Sequence, residues 1–445
     1  MQVGILAPEA GHPQLKVCLV GAEGTGGVVH QNGRLAIVEV ADPAALEQAY
    51  PELLVFGHDA STKKRHRRCR PRATAAVPNG GRGLFPPDIR TLYNLPPALT
   101  GKGQTIGIME YSDGYSQDDL DAFWRTNGLP APRVEFVGID GATNDGGINS
   151  MDLEATLDVE WVGAVAPEAT LVVYEADAGD TYQSFALSVA RSLQYVLTDA
   201  LHSPSVISIS YGDAEATFGS KTVRAWESLI AEMDGRGITV CVASGDQGAY
   251  GMHDPAGSKT PHADAPASCP HAVAVGGTSL LSGNLSNPWC LAFRHLLRAG
   301  AVSIALGNAA ESAWTYYSAQ NGGATGGGDS EVFTGRQIPD LSLNADPATG
   351  YSVWFQGQPT VVGGTSVACP VFAATVALAN EALANAGKPP LSRFAESLSA
   401  LPSGVYQTVQ GGNNSYNGVQ GWSAGPRCTG RGSVNVTALV QAVGG

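Results

Sequence analysis

Four short runs of apolar, largely β-branched residues recur through the middle of the chain: QTIGIME (104–110), TLVVYEA (170–176), SVISISY (205–211) and GITVCVA (237–243). Each is too short and too evenly apolar for a half-exposed helix, and each reads as a strand buried on both faces. Helical patterns at 116–126, 153–164, 182–199 and 221–235 stand between and around them. Strand–helix alternation predicts an α/β fold: a parallel sheet with helices on both faces. Ligands in such sheets sit beyond the carboxyl ends of the strands. Glu110, Tyr211 and Ser244-Gly245-Asp246 all fall at such ends.

A chain of 445 residues with 43% apolar content can bury a sizeable core without staples. Residues 1–78 carry 9 Lys/Arg against 7 Asp/Glu, and residues 79–445 carry 17 against 33. So acidic a body argues against nucleic acid as a partner. The seven cysteines form no CxxC pair or other metal-ligand spacing. No run of about 20 apolar residues predicts a membrane span. The first 25 residues lack the basic and apolar regions of a signal peptide. The basic run STKKRHRRCRPRA (61–73) reads as an exposed linker and a place for processing, dividing a leader, 1–78, from a body, 79–445. Residues 284–310, basic and apolar together, interrupt a loop-rich region without an evident physical reason.

One segment places a hydroxyl where chemistry is favoured. GGTSVACP (363–370) is followed by the helical run VFAATVALANEAL. Gly363 and Gly364 allow a tight turn, and Ser366 then opens the helix with Pro370 near its first turn. Free N–H groups and the helix dipole there favour a developing negative charge, as beside an oxyanion hole. An N-capping serine would read the same way.

A nucleophilic serine needs a base. None of the nine histidines opens a helix in the way a histidine-dependent subtilisin requires. Acids are better placed. In MDLEATLDVEWVGAVAP (151–167), Glu154 and Asp158 stand four apart and share one face of an otherwise apolar helix. Two carboxyls against an apolar wall resist joint ionisation and titrate as a unit. Asp246, in VASGDQG, follows a buried strand. It is either a turn residue or a neutral acid that donates a hydrogen bond to an oxyanion. Asp152 and Glu160 are further acids on the same segment as the pair.

Together these segments closely resemble the sedolisin family, the serine-carboxyl peptidases, and within it the kumamolisin type. The likeness spans roughly 84–440. It is carried by Glu154, Asp158 and Ala166-Pro167, then Ser244-Gly245-Asp246, then Gly364 to Pro370, with NADPATGY (344–351) just before the serine. The resemblance implies a subtilisin-like fold preceded by a short prosegment-like region, and activity at acidic pH. Ser366 would be the nucleophile, Glu154 the general base, Asp158 its support, and Asp246 with the Ser366 N–H the oxyanion site. Ser210, Tyr211 and Gly212, with Gly364, would bind substrate backbone. Tryptophan is common in the kumamolisin type where Tyr211 stands. Glu110 matches an acid that extends the network behind the pair, and GGATGGG (322–328) a loop near the cleft.

The same likeness implies protein or peptide substrates, the chain's own prosegment as partner, a monomer, and a secreted or otherwise acidic location. Calcium is usual in the family, but its acidic ligand positions read Gln407 and Ser423 here, so no metal is expected to bind tightly. Only 35–53 reads as part of a folded leader, and the segment after Ser330 is abbreviated. Three readings stay open: an acid-acting endopeptidase, a tripeptidyl-type exopeptidase, and an inactive peptide-binding relative.

Overall fold

The structure is a computed structural model and describes residues 1–12, 15, 28–58, 83–280, 311–313 and 327–444. The basic run 61–73, the segment 284–310 and most of the glycine-rich stretch 322–328 lie outside the described residues.

Near the N-terminus, strands β1 (Gln2–Leu6), β2 (Val28–Asn32) and β3 (Leu35–Glu39), helix α1 (Pro43–Ala49) and strand β4 (Leu54–Phe56) form one small unit. Its antiparallel sheet has the order β2-β3-β1-β4. Side chains alternate across it as the strand period demands. Val3, Ile5, Ala36, Val38 and Val55 make a core of their own with Leu46 of α1. Leu6, Leu35, Ile37 and Phe56, on the other face, join the core of the main body.

The body is built on an eight-stranded sheet. Strand β5 (Thr105–Tyr111) is followed by α2 (Gln117–Thr126), β6 (Arg133–Gly138), α3 (Leu153–Val165), β7 (Thr170–Ala176) and α4 (Tyr182–Thr198). Then come β8 (Val206–Ile209), α5 (Ser220–Gly235), β9 (Thr239–Ala243), β10 (Ala272–Leu280), β11 (Glu311–Ala313) and β12 (Leu341–Asn344). The order is β11-β10-β9-β8-β5-β7-β6, with β12 also beside β10. Every pairing is parallel except β10–β11. Helices cover both faces, α3 and α6 (Thr365–Asn385) on one, α4 and α5 on the other.

Each expected strand and helix is present within a residue or two, with one instructive exception. The run 205–211 leaves the sheet after Ile209, so Ser210 and Tyr211 lie beyond the strand's end rather than in it. Helix α6 is long and apolar enough to cross a membrane by length and composition alone. Its most apolar window is 89% buried inside the fold, which makes it the central core helix of this body.

The small N-terminal unit docks on α4 and α5. Arg34 is buried there, ion-paired to Glu232 at 3.0 Å and donating to the Ser228 carbonyl at 2.7 Å. Lys221 reaches Glu47 at 2.6 Å, and Phe56 packs into the same core as Leu187.

Candidate active site

Ser366 is the second residue of α6. Gly364 caps the helix at φ 128°, ψ 156°, a conformation that disfavours any Cβ. Pro370 lies inside the helix rather than in its first turn. It has no N–H to give the carbonyl four residues back, which belongs to Ser366. The Ser210 hydroxyl, 3.1 Å from that oxygen, supplies the missing partner.

The same Ser210 hydroxyl is 2.7 Å from Asp158 Oδ2. A hydroxyl has one proton. That proton goes to Asp158 or to the Ser366 carbonyl; where it goes to the carbonyl, a protonated Asp158 donates to Ser210. Burial pushes Asp158 well above the ordinary carboxylate range, against the pull of its Ser210 bond. Burial raises Glu154 likewise; the Asp158 charge adds to the rise, and the neighbouring Ser366 hydroxyl opposes it through a hydrogen bond. The Ser366 hydroxyl also lies 3.3 Å from the Ser210 carbonyl oxygen. Glu154 and Asp158 are one turn apart on a helix whose every residue is buried, so the apolar wall expected behind them is real.

A second layer lies behind the pair. Tyr211 places its hydroxyl 2.6 Å from Glu110 Oε2 and 2.7 Å from Asp113 Oδ2. Glu110 is raised well above its usual range by burial and then by Asp158's charge. The other acids of α3 face elsewhere. Asp152 accepts from the Asn149 N–H at 2.6 Å, and Glu160 from the Trp354 N–H at 3.0 Å.

Asp246 is tied to the residue before the serine. Its Oδ1 accepts from the Thr365 N–H and the Thr365 hydroxyl, both at 2.8 Å. Burial raises its carboxyl, and the Thr365 bonds oppose that. Asp246, Ser366, Ser210, Tyr211 and Gly212 line one cleft with Thr365 and Gly245. At φ 94°, Gly245 packs so tightly that a Cβ would stand 1.8 Å from Asp264 Oδ2.

A subtilase family model matches residues 138–421. Kumamolisin from Bacillus sp. (strain MN-32) is 34% identical over 87% of this chain and 70% of its own length. The chain belongs to the sedolisin family of serine peptidases. Sedolisin from Pseudomonas sp. (strain 101) is 30% identical over 80% of the chain, which spans 61% of that relative's length. The solved structure of Pseudomonas sedolisin, complexed with two molecules of pseudo-iodotyrostatin, covers 81% of this chain and 98% of its own. It has a TM-score of 0.64 at 29% identity.

In this sedolisin-family chain, Glu154, Asp158 and Asp246 lie around Ser366, while Asp152 and Glu160 do not. Three further residues take part. Thr365 holds Asp246, Asp113 shares the Tyr211 hydroxyl, and His253 lines the cleft with its Nδ1 3.4 Å from Asp213. Asp113 stands just past the carboxyl end of β5, where the strand-end rule could have found it. Thr365 lies within the Gly364–Pro370 motif, and His253 is one of the nine histidines set aside as a base.

Proposed function

We propose that the chain is an endopeptidase that cleaves protein or peptide substrates at acidic pH, with Ser366 as nucleophile and Glu154 as its base. The observation that carries this reading is the cleft that Ser366 shares with Asp246, with a buried Glu154 near the serine whose proton affinity is raised by burial and by Asp158. A carboxyl tuned upward remains a usable base and acid in acidic solution, where an imidazole is already charged.

Glu154 takes the serine proton as Ser366 attacks the peptide carbonyl, then returns it to the leaving amine. Asp158, held by Ser210, supports Glu154. Asp246, kept neutral, donates to the developing oxyanion together with the Ser366 N–H at the helix N-terminus. Ser210, Tyr211, Gly212 and Gly364 border the peptide. Residues 1–78 act as the chain's own prosegment, its described strands docked on α4 and α5, and the mature enzyme works as a monomer in a secreted or acidic setting.

Calcium does not fit the donor set present. Gln407 turns its amide nitrogen toward the Leu92 carbonyl oxygen at 3.5 Å, and Ser423 offers a neutral hydroxyl. Neither supplies the charged oxygen such an ion requires. The chemistry derived above uses no metal.

Several relatives bear the name tripeptidyl-peptidase, among them one from Bos taurus at 29% identity. Digestion of a long unstructured peptide at pH ~4, followed by mass spectrometry, tests both levels. Internal fragments support the endopeptidase, and serial release of tripeptides would replace it with an exopeptidase. Undiminished cleavage by Ser366→Ala would overturn the reading entirely.

A further inference from the structure

The two oxygens of the Asp246 carboxyl are not equivalent. Oδ1 accepts from the Thr365 N–H and from the Thr365 hydroxyl, both at 2.8 Å, and among the described residues the hydrogen bonds of this carboxyl all fall on that oxygen. Thr365 is the first residue of α6, so its N–H is one of the helix's first-turn donors without an intrahelical partner. Both side chains are buried, and both line the cleft with Ser366.

A backbone N–H can only donate, so Oδ1 is held as an acceptor. In a neutral carboxyl the oxygen without the hydrogen is the better acceptor. Two donors on Oδ1 therefore favour a proton on Oδ2, the oxygen that Thr365 leaves free. Three titratable groups face Asp246 from other parts of the fold. His253 in the following loop favours its charged form, and Glu154 of α3 and Asp264 are both raised by its charge.

We propose that Thr365 is a positioning residue for peptide hydrolysis: by engaging Asp246 Oδ1 with two donors, it keeps the acid's proton on Oδ2 and makes that atom the donor to the oxygen that gains charge when Ser366 attacks. The inference rests on the reading of Asp246 as a neutral oxyanion donor. Without the Thr365 hydroxyl, one bond holds the carboxyl, which is freer to turn and to carry its proton away from the developing charge. A preorganised donor loses most of its effect when it must be realigned during the reaction.

The hydroxyl has a second, opposite effect. Burial raises Asp246, and the bonds from Thr365 oppose that rise because they favour the charged form. Deleting one of them leaves Asp246 protonated to higher pH. Loss of the hydroxyl should thus lower the rate and yet extend activity toward alkaline pH. General damage to the cleft would lower the rate without that extension.

The test is a mutant cycle on one unstructured peptide, with folding checked by circular dichroism. Thr365→Val keeps the shape of the side chain and removes the donor. Its kcat should fall roughly tenfold, with KM little changed, a partial loss of one oxyanion donor. The alkaline limb of its pH profile should move up by about half a unit to one unit. Thr365→Ser, which restores the hydroxyl, should recover most of the rate and return the limb. Added to Asp246→Ala, Thr365→Val should cost nothing further, because it acts through Asp246. The proposal is overturned by an equal fold-loss in the two backgrounds, by parental kcat in folded Thr365→Val, or by an alkaline limb that stays put or falls. If Thr365→Val does not fold, Thr365→Ala takes its place in the cycle. Failure of the underlying reading shows separately, as parental kcat in Asp246→Ala alone.

Discussion

Pro370 stands one helical turn beyond Ser366 and cannot donate to its carbonyl, and the Ser210 hydroxyl stands 3.1 Å from that oxygen. A helix-breaking residue thus becomes a coupling device. It leaves an acceptor at the serine, and the group that fills it also touches Asp158 at 2.7 Å. The nucleophile's backbone and the second acid are joined through one hydroxyl.

Removing that hydroxyl should therefore cost both stability and rate. Ser210→Ala leaves a buried carbonyl and a buried carboxyl short of a partner. We expect a loss of about 1–3 kcal/mol in urea unfolding. We also expect a fall in kcat/KM of roughly tenfold or more, as the acid pair loses its orientation.

Asp246→Ala should lower kcat by about 10²–10³-fold, the usual effect of losing one oxyanion donor. Because Asp246 also fixes Thr365 by two bonds at 2.8 Å, Thr365→Val should lower kcat in the same direction but less. Steady-state kinetics on one peptide at pH ~4 compares the two. Equal kcat in Asp246→Ala and the parent would remove Asp246 from the oxyanion site.

Much of this is legible in the sequence. The strands at 105–111 and 170–176 are continuous apolar runs, and Glu154 and Asp158 share a face because the helix period places them there. What was hidden depends on contacts remote in sequence. The Tyr211–Asp113 contact joins residues 98 apart, and the spacing of neither segment announces it. The N-terminal unit is hidden for the same reason. Gln2–Leu6 is only five residues long, and its strand character comes from pairing with β3 and β4 and from Phe56 packing on Gly4.

Stability should fall as pH rises. Burial raises Glu154, Asp158 and Glu110 well above their unfolded values, and Glu175 to about 9. Between about pH 4 and those raised values the unfolded chain gives up protons that the folded chain keeps. The contribution of these acids is thus complete below about pH 4 and lost progressively above it. Glu47, Asp199 and Asp213 are lowered and act oppositely, losing their contribution as pH falls below about 4. Melting curves should show a higher Tm near pH 4–5 than at pH 8. A Tm that climbs steadily to pH 8 would contradict protonation of the buried acids.

A chelator should leave Tm unchanged, and added calcium should not raise it, since Gln407 and Ser423 provide no carboxylate. Differential scanning calorimetry with and without the ion checks this. A shift of several degrees would mean that other oxygens hold calcium.

The account stands or falls on Glu154 as the base for Ser366. The direct measurement is kcat/KM for Glu154→Gln at pH ~4, beside His253→Ala as a control at a histidine that lines the cleft. A fall of about 10³-fold or more in Glu154→Gln, with His253→Ala retaining a far larger share of the rate, is the predicted result. Near-parental activity in Glu154→Gln, or its loss only in His253→Ala, would contradict it.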